Sequence, residues 1–319
     1  MDNKYYVGID TSAYTTSLAV IDEDNNIVLD LRKMLRVKDG KKGLRQQEAV
    51  FQHIKNLPHL IEEMVEKIDI NRIHTVSCSS RPRGLEGSYM PVFITGQGQA
   101  YILSKILKTE FREYSHQEGH IGAGIMGSPL LNSGEFLSLH ISGGTTELLL
   151  VENKNNKMTI DIIGGTLDIS LGQLVDRIGV KLGFKFPCGK KMDDISQKGS
   201  LLDRRVPISI SNKTWFNLSG LENYFSNLID SKDYKVEDII LTLFNTASSI
   251  LYKVISNAYE EFGLKDILIT GGVSANSYIR DYLKRRLNNM DLYFASRELS
   301  TDNGVGVAFL GKERYLVGD

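Results

Sequence analysis

The sequence predicts an α/β fold built as two similar halves, and three observations carry that expectation. The chain repeats itself without gaps at an offset of 130 residues. Ser12 falls on Ser142, Thr15-Thr16 on Thr145-Thr146, Leu18-Ala19-Val20-Ile21 on Leu148-Leu149-Leu150-Val151, and Asn25-Asn26 on Asn155-Asn156. Short apolar runs alternate with longer stretches of helical period. Apolar runs also empty into Gly-Gly, at Ile141-Ser142-Gly143-Gly144 and Ile269-Thr270-Gly271-Gly272. A length of 319 residues suits two domains of roughly 150 each. The expected boundaries are 1–130 and 131–319, with an insertion at about 185–220 and a C-terminal helix that packs back on the first half.

Each half opens as strand, polar turn of small residues, strand, Asn-rich turn, strand, over 5–30 and 135–160. Asn suits those turns because it tolerates positive φ. Residues 46–68 read as a helix with Ala49, Val50, Ile54, Leu57, Leu60, Ile61 and Val65 along one side, interrupted at Pro58. Residues 74–80 read as a strand and 93–108 as a helix rich in small residues. Residues 168–182 form a helix, with Leu171, Leu174, Val175, Ile178 and Leu182 at helical spacing. The stretch 187–217 has weak periodicity and many charges, which marks an irregular insertion and a candidate lid. Val236–Phe262 reads as a long helix, Asp266–Thr270 as a buried strand, 275–287 as a helix starting near Ser274, and 305–310 as the closing helix.

Composition narrows the function classes. Hydrophobic residues at 41% and charged residues at 24% exclude wholesale disorder. Lys+Arg at 38 against Asp+Glu at 39 exclude a chain that grips nucleic acid by an overall basic surplus. Such contact needs a partner or a local patch. The candidates are Lys33-Met34-Leu35-Arg36-Val37-Lys38 with Lys41 and Lys42, and Lys284-Arg285-Arg286, each of which also suits a plain solvated face. No apolar run approaches ~18 residues, so no transmembrane helix and no membrane partner is expected. The first residues lack the pattern of a signal peptide. Cys78 and Cys188 are too few for a disulfide framework and fit a reducing, cytoplasmic setting.

Five constellations can carry chemistry. His116 and His120 in His116-Gln117-Glu118-Gly119-His120 share a helical face and can share a metal, given a third ligand from elsewhere; they equally suit a metal-free helix lining. In Ser142-Gly143-Gly144-Thr145 two glycines can present bare N–H groups beside hydroxyls. The equivalent Asp10-Thr11-Ser12 turn pairs with it, as in a phosphate site. Gly271 and Gly272 end a buried strand before a helix, and Asn276 can meet a base or ribose or simply cap that helix. Asp302 suits both a helix cap and the third metal ligand. The fifth is Ser79-Ser80-Arg81-Pro82-Arg83-Gly84-Leu85-Glu86-Gly87-Ser88, a strand end and loop whose arginines can pair with an anion.

One ordered set of motifs resembles a known family. It comprises Ile9-Asp10-Thr11-Ser12, Gly84-Leu85-Glu86-Gly87-Ser88, the run from His116 to His120, Ile141-Ser142-Gly143-Gly144 and Leu182-Gly183 with Pro187-Cys188-Gly189. Ser219-Gly220-Leu221, Gly271-Gly272-Val273-Ser274-Ala275-Asn276 and Thr301-Asp302-Asn303 complete it. Together these resemble the TsaD (Gcp, "M22 peptidase") family over nearly the whole chain. The resemblance implies the two-lobed actin/hexokinase/Hsp70 ATPase fold of duplicated ribonuclease H-like domains. It implies transfer of a threonylcarbamoyl group from its adenylate to N6 of the tRNA adenosine next to the anticodon. TsaB-type and TsaE-type partners go with that activity, and tRNA is reached through them. One divalent metal, iron or zinc, maps onto His116, His120 and Asp302, and adenine-nucleotide contacts map onto Gly144, Asp168, Gly172, Gly189 and Asn276.

The departures from the family pattern are specific. Ala13-Tyr14-Thr15 stands where Cys and two acids usually follow Thr-Ser, and Thr145 stands where the family has His. Asp168-Ile169-Ser170-Leu171-Gly172-Gln173 replaces Asp-Asp-Ala-x-Gly-Glu. Lys190 follows Gly189 where Pro is usual, Glu222 replaces a Lys, and Arg81 and Arg83 enter a Gly-Pro-Gly-Leu loop. These changes keep open a divergent nucleotide-binding paralogue with another acceptor or a scaffold role. The family's old label, metallopeptidase, ranks last because no general base is placed as in a zincin. No nucleophilic Ser or Cys with a partner base is evident, so no covalent enzyme intermediate is expected.

Overall fold

Strand β1 (Tyr5–Thr11) and β2 (Thr15–Asp22) are apolar and buried almost throughout, and they pair as an antiparallel hairpin closed by Thr11 opposite Thr16. Strand β3 (Ile27–Met34) continues the meander at a more exposed edge, and Asn25 in the turn before it takes φ 67°. On the other side of β1, β4 (Ile73–Arg81) and β5 (Glu110–Ser115) add in parallel, giving the order β3-β2-β1-β4-β5. The second sheet repeats this plan. Strands β6 (Glu135–Ile141), β7 (Thr146–Lys154) and β8 (Lys157–Thr166) are consecutive neighbours, and β11 (Asp266–Thr270) and β12 (Asp291–Phe294) add in parallel beyond β6. Two short strands, β9 (Ser209–Ser211) and β10 (Trp215–Asn217), extend it past β8. The internal repeat is therefore a repeated sheet: β3 and β8 start at Ile27 and Lys157, 130 residues apart.

This computed structural model describes residues 4–12, 14–37, 44–154 and 157–317. Ala13, Lys38, Lys41, Lys42, Asn155 and Asn156, singled out above, lie outside the described residues. The chain divides into two units. One is Met1–Gly134, Glu152–Thr159 and Thr301–Asp319; the other is Glu135–Val151 and Ile160–Ser300.

In the first unit, α1 (Gln46–Lys67) and α2 (Pro91–Leu107) pack on a core of Val7, Ile9, Leu18, Val20, Leu57, Leu60, Met64 and Val76. Helix α3 (His116–Ile125) follows β5, and the C-terminal α9 (Val305–Val317) belongs to the same unit. A Cβ on Gly306 would strike the Gly119 carbonyl oxygen, and one on Gly8 the Gly304 carbonyl oxygen, so α9 meets α3 and β1 at backbone contact.

In the second unit, α4 (Leu171–Lys181), α5 (Gly189–Ser196), α6 (Ser219–Ser231), α7 (Val236–Phe262) and α8 (Ser277–Arg286) surround a large core. Helix α7 is long and apolar enough, by length and composition only, to cross a membrane. It is mostly buried, with Leu243, Phe244, Ile250, Leu251 and Val254 in the core of its unit.

The structure corrects several expectations. Pro58 does not interrupt α1. The carbonyl that loses its donor belongs to Ile54, a residue 54% exposed, where water can replace the missing bond. The buried face of α1 is also rotated from the apolar stripe: Ile54 and Val65 point outward, while His53 and Asn56 lie inside with Ala49, Leu57 and Leu60. Helix α4 starts at Leu171, not at Asp168, because Ser170 and Gln173 form a capping box. Helix α8 starts at Ser277, after a 3-10 turn over Gly272–Ala275, because Asn276 is its cap. The stretch 187–217 is not an irregular lid. It holds α5, with Met192 and Ser196 buried, and the β9–β10 hairpin that extends the sheet.

Candidate active site

The first cluster is built at the start of α3. Ser115 caps that helix and forms a capping box with Glu118, so the chain turns sharply from β5 into α3 with His116 as its first residue. Four residues on, His120 lies on the same face, and the two Nε2 atoms are 3.0 Å apart. Asp302, from the first unit's C-terminal segment, places Oδ1 3.5 Å from both Nε2 atoms. The three ligand atoms lie within 4.8 Å of one another. Asp302 therefore serves this cluster, and the cap of α9 falls to its neighbour Asn303, whose Oδ1 accepts from the Gly306 N–H.

Asp10, which the sequence placed in a phosphate turn, stands behind this cluster. It is buried, its Oδ1 is 2.8 Å from His116 Nδ1, and its Oδ2 accepts from the Ser12 N–H at 3.2 Å. The contact holds the ring with its Nδ1 hydrogen toward Asp10 and Nε2 turned to His120 and Asp302. Phe93 packs against the His116 ring at 5.8 Å between centroids. Ser12 is buried too, and its Oγ has no hydrogen-bond partner among the described residues.

Charge follows from this geometry. Burial works against a charged His116, but the Asp10 carboxylate, joined by Asp302, pushes it up to about 10. Burial and then the charge on His116 hold His120 below its ordinary value. Burial also opposes the Asp302 carboxylate, but the two imidazoles hold it well below the usual range. Two carboxylates thus face two imidazoles that can share one proton, and the cluster stays net negative. Two imidazole nitrogens and a carboxylate oxygen on one small volume, with a carboxylate behind one imidazole, suit a divalent cation such as zinc or iron.

The remaining predicted residues lie in the second unit. In the turn 142–145, Ser142 Oγ accepts from the Gly144 and Thr145 N–H groups at 3.3 and 3.1 Å and sits 3.1 Å from Thr145 Oγ1. Gly143 and Gly144 are exposed, and open space lies where a Cβ would stand on either. Gly172 lies beneath this turn. A Cβ there would be 2.5 Å from the Ser142 carbonyl oxygen and 2.6 Å from Gly143 Cα, so only glycine lets α4 support the loop this closely. Gly189 opens α5, also beside open space. Gly271 takes φ 89° between β11 and the following 3-10 turn that contains Gly272.

Two side chains in this unit are already engaged. Asn276 uses Oδ1 to cap α8 through the Ile279 N–H at 2.9 Å. The Asp168 carboxylate accepts from the N–H groups of Ile169, Leu218 and Ser219 and from the Ser219 hydroxyl, tying the end of β8 to the start of α6. Partial burial opposes its charge, but those donors hold its pKa down at about 2. A nucleotide hydroxyl would have to displace one of them. The structure brings Asp10, His116, His120 and Asp302 together in the first unit, and Gly172 and Gly271 against the segment 141–143 in the second. His53, Thr16 and Asn56 went unselected, because a histidine and an asparagine on an apolar helix face give no local signal.

Comparison with known proteins shows the family. The family model described as "TsaD: tRNA N6-adenosine threonylcarbamoyltransferase" matches residues 34–309. The chain belongs to the TsaD family. A tRNA N6-adenosine threonylcarbamoyltransferase of Thermotoga neapolitana is 31% identical over 316 residues, covering 97% of this chain and 93% of the relative. One from Mesomycoplasma hyopneumoniae is 31% identical over 318 residues, covering 95% of each.

Solved structures confirm the fold class alone. The structure titled "Crystal structure of T.kodakarensis HypF" aligns with a TM-score of 0.62 at 13% identity, over 98% of this chain and 48% of that one. A ROK family glucokinase from Streptomyces griseus aligns at 0.56 and 9% identity, over 98% of this chain and 100% of that one. The TsaD chain described here therefore has the actin/hexokinase-type ATPase fold that its motifs imply.

Proposed function

We propose that this TsaD-family chain transfers a threonylcarbamoyl group from its adenylate to the N6 amine of a tRNA adenosine, with one divalent ion, iron or zinc, held by His116, His120 and Asp302. The observation that carries the reading is the convergence of those three side chains, 3.0–3.5 Å between ligand atoms, with Asp10 behind the first. When bound, such an ion supplies Lewis-acid polarisation of a carbamoyl or phosphate oxygen. The chain's own residues do the rest. Asp10 keeps the His116 hydrogen on Nδ1, so that Nε2 stays a ligand atom. The adenylate phosphate takes the place of Ser142 Oγ as acceptor for the Gly144 and Thr145 N–H groups, and the turn around Gly271 and Gly272 receives the nucleoside end, with Asn276 beside it.

In the transfer itself, N6 forms a bond to the carbamoyl carbon and loses a proton. The bond from that carbon to the phosphate oxygen breaks, and AMP leaves. TsaB-type and TsaE-type proteins are the partners of this reading, tRNA arrives through them, and the setting is cytoplasmic. The test supplies threonylcarbamoyl-adenylate, tRNA and a TsaB-type partner and measures modified adenosine. Turnover that fails here, while the Thermotoga neapolitana relative succeeds in the same assay, refutes the reading.

A second reading has its own observation. Ala13-Tyr14-Thr15 and Thr145 replace acids and a histidine usual in the family. It describes a nucleotide-binding scaffold that binds AMP and transfers nothing, and the same assay separates the two.

A further inference from the structure

The face that α1 turns inward carries two polar side chains amid Ala49, Leu57 and Leu60: His53, fully buried, and Asn56, 8% exposed. A buried imidazole and amide are costly unless their hydrogen bonds are made. Here they are made, along one continuous line. Asn56 Nδ2 donates to Thr16 Oγ1 at 3.1 Å, and Thr16 Oγ1 is 2.9 Å from His53 Nδ1. On the far side of the ring, His53 Nε2 is 3.0 Å from the Ser12 carbonyl oxygen. The Ser12 N–H donates to Asp10 Oδ2 at 3.2 Å, and Asp10 Oδ1 meets His116 Nδ1 at 2.8 Å.

The acceptors assign the hydrogens. A carbonyl oxygen only accepts, so His53 Nε2 carries the hydrogen. Burial disfavours the charged ring, so Nδ1 is bare and accepts from the Thr16 hydroxyl. That hydroxyl oxygen in turn accepts from Asn56, and no donor opposes a donor anywhere along the line. The consequence lies at Ser12. A carboxylate held by one oxygen can swing about its Cβ–Cγ bond, whereas Asp10 is held by both. The second hold comes from a residue whose carbonyl is itself pinned by His53. Thr16 sits directly opposite Thr11, so both ends of the hairpin loop that contains Ser12 are tied.

We propose that His53 is a positioning residue for the metal site: it pins the Ser12 backbone, which orients the Asp10 carboxylate, which holds the His116 ring with Nε2 turned to His120 and Asp302. A leucine would fill the same place in the core and supply none of this. The inference rests on the reading of His116 as a ligand, and its first readout is independent of metal.

The test uses the full-length, metal-free protein labelled with 15N-histidine. Nuclear magnetic resonance should show His53 neutral with its hydrogen on Nε2, and a slowly exchanging His116 Nδ1–H; the opposite His53 tautomer overturns the proposal. His53→Gln keeps a donor for the Ser12 carbonyl, whereas His53→Leu keeps only bulk. The His116 Nδ1–H signal should persist in His53→Gln and be lost to exchange in His53→Leu. Co2+ affinity should fall about 10–100-fold in His53→Leu and return most of the way in His53→Gln.

A His53→Leu protein with lowered thermal stability but wild-type His116 signals and Co2+ affinity overturns the proposal. If His53→Leu does not fold, the wild-type tautomer and the His53→Gln signals still decide. A wild-type protein that binds no Co2+ refutes the metal reading alone, and the His116 signals then still decide the role of His53.

Discussion

Replacing Asp302 by alanine tests the core of the proposed function. Its Oδ1 is the third ligand atom, 3.5 Å from each imidazole Nε2. Among the described residues, the metal-type cluster holds no other carboxylate: Asp10 is buried on the far side of His116, with its oxygens committed to His116 Nδ1 and the Ser12 N–H. Four-ligand zinc sites bind with roughly 12 kcal/mol, or about 3 kcal/mol per ligand. At about 1.4 kcal/mol per factor of ten, losing one ligand weakens binding roughly 100-fold. The assay is metal content after dialysis against a chelator, together with a Co2+ titration of Asp302→Ala and His116→Ala. Both variants should lose the ion under conditions in which the wild type keeps it. Full metal content in both means that the assigned cluster is not the site.

Three further outcomes follow from single contacts. Asp168 has its folded pKa depressed to about 2, so its charge stabilises the fold above the ordinary carboxylate value of 3.8, and that gain is lost as pH falls through about 2. Asp168→Asn should therefore cost about 1 kcal/mol at pH 7, after allowance for solvent screening of an exposed group. In urea melts the gap to wild type should shrink between pH 4 and pH 2, and a constant gap counts against the assignment. Gly172→Ala forces a methyl group against the Ser142 carbonyl, at a cost of about 1–3 kcal/mol. Calorimetric titration with AMP should show about tenfold weaker binding. Pro58→Ala restores a donor inside α1 and should raise stability by about 1–2 kcal/mol in the same melts.

What the sequence disclosed depended on whether a signal was local. The duplicated sheet was legible because hairpin turns and apolar strands recur at a fixed offset, and the folded chain keeps that offset at the starts of the first and third strands. The elements between 187 and 217 were not, because a helix of eight residues and strands of three are too short to display a period. The paired histidines could be read from their spacing. Asp302 stayed open between cap and ligand until the family resemblance, since nothing near it in the sequence distinguishes the two. Asp10 was selected with the phosphate turn, and its contact with His116, 106 residues away, left no local signal. The apolar stripe of α1 misled for a related reason. The hydrogen bonds of His53 and Asn56 to the first hairpin outweigh the burial of Ile54 and Val65, and they rotate the helix accordingly.

The cluster also depends on a contact that contains no ligand. Asp302 reaches the histidines only because α9 lies against α3 at backbone distance, with Gly306 on the Gly119 carbonyl, and Gly119 sits between the two histidines. A methyl group at 306 has no side chain to push aside, so α9 must move off α3 and carry Asp302 with it. Gly306→Ala should therefore weaken Co2+ binding by at least about tenfold, while every ligand remains in the sequence. The compensating change is not available at 119, where the obstruction is the carbonyl itself. A variant with reduced thermal stability but unchanged Co2+ affinity would show that Asp302 is held by its own loop rather than by the glycine contact.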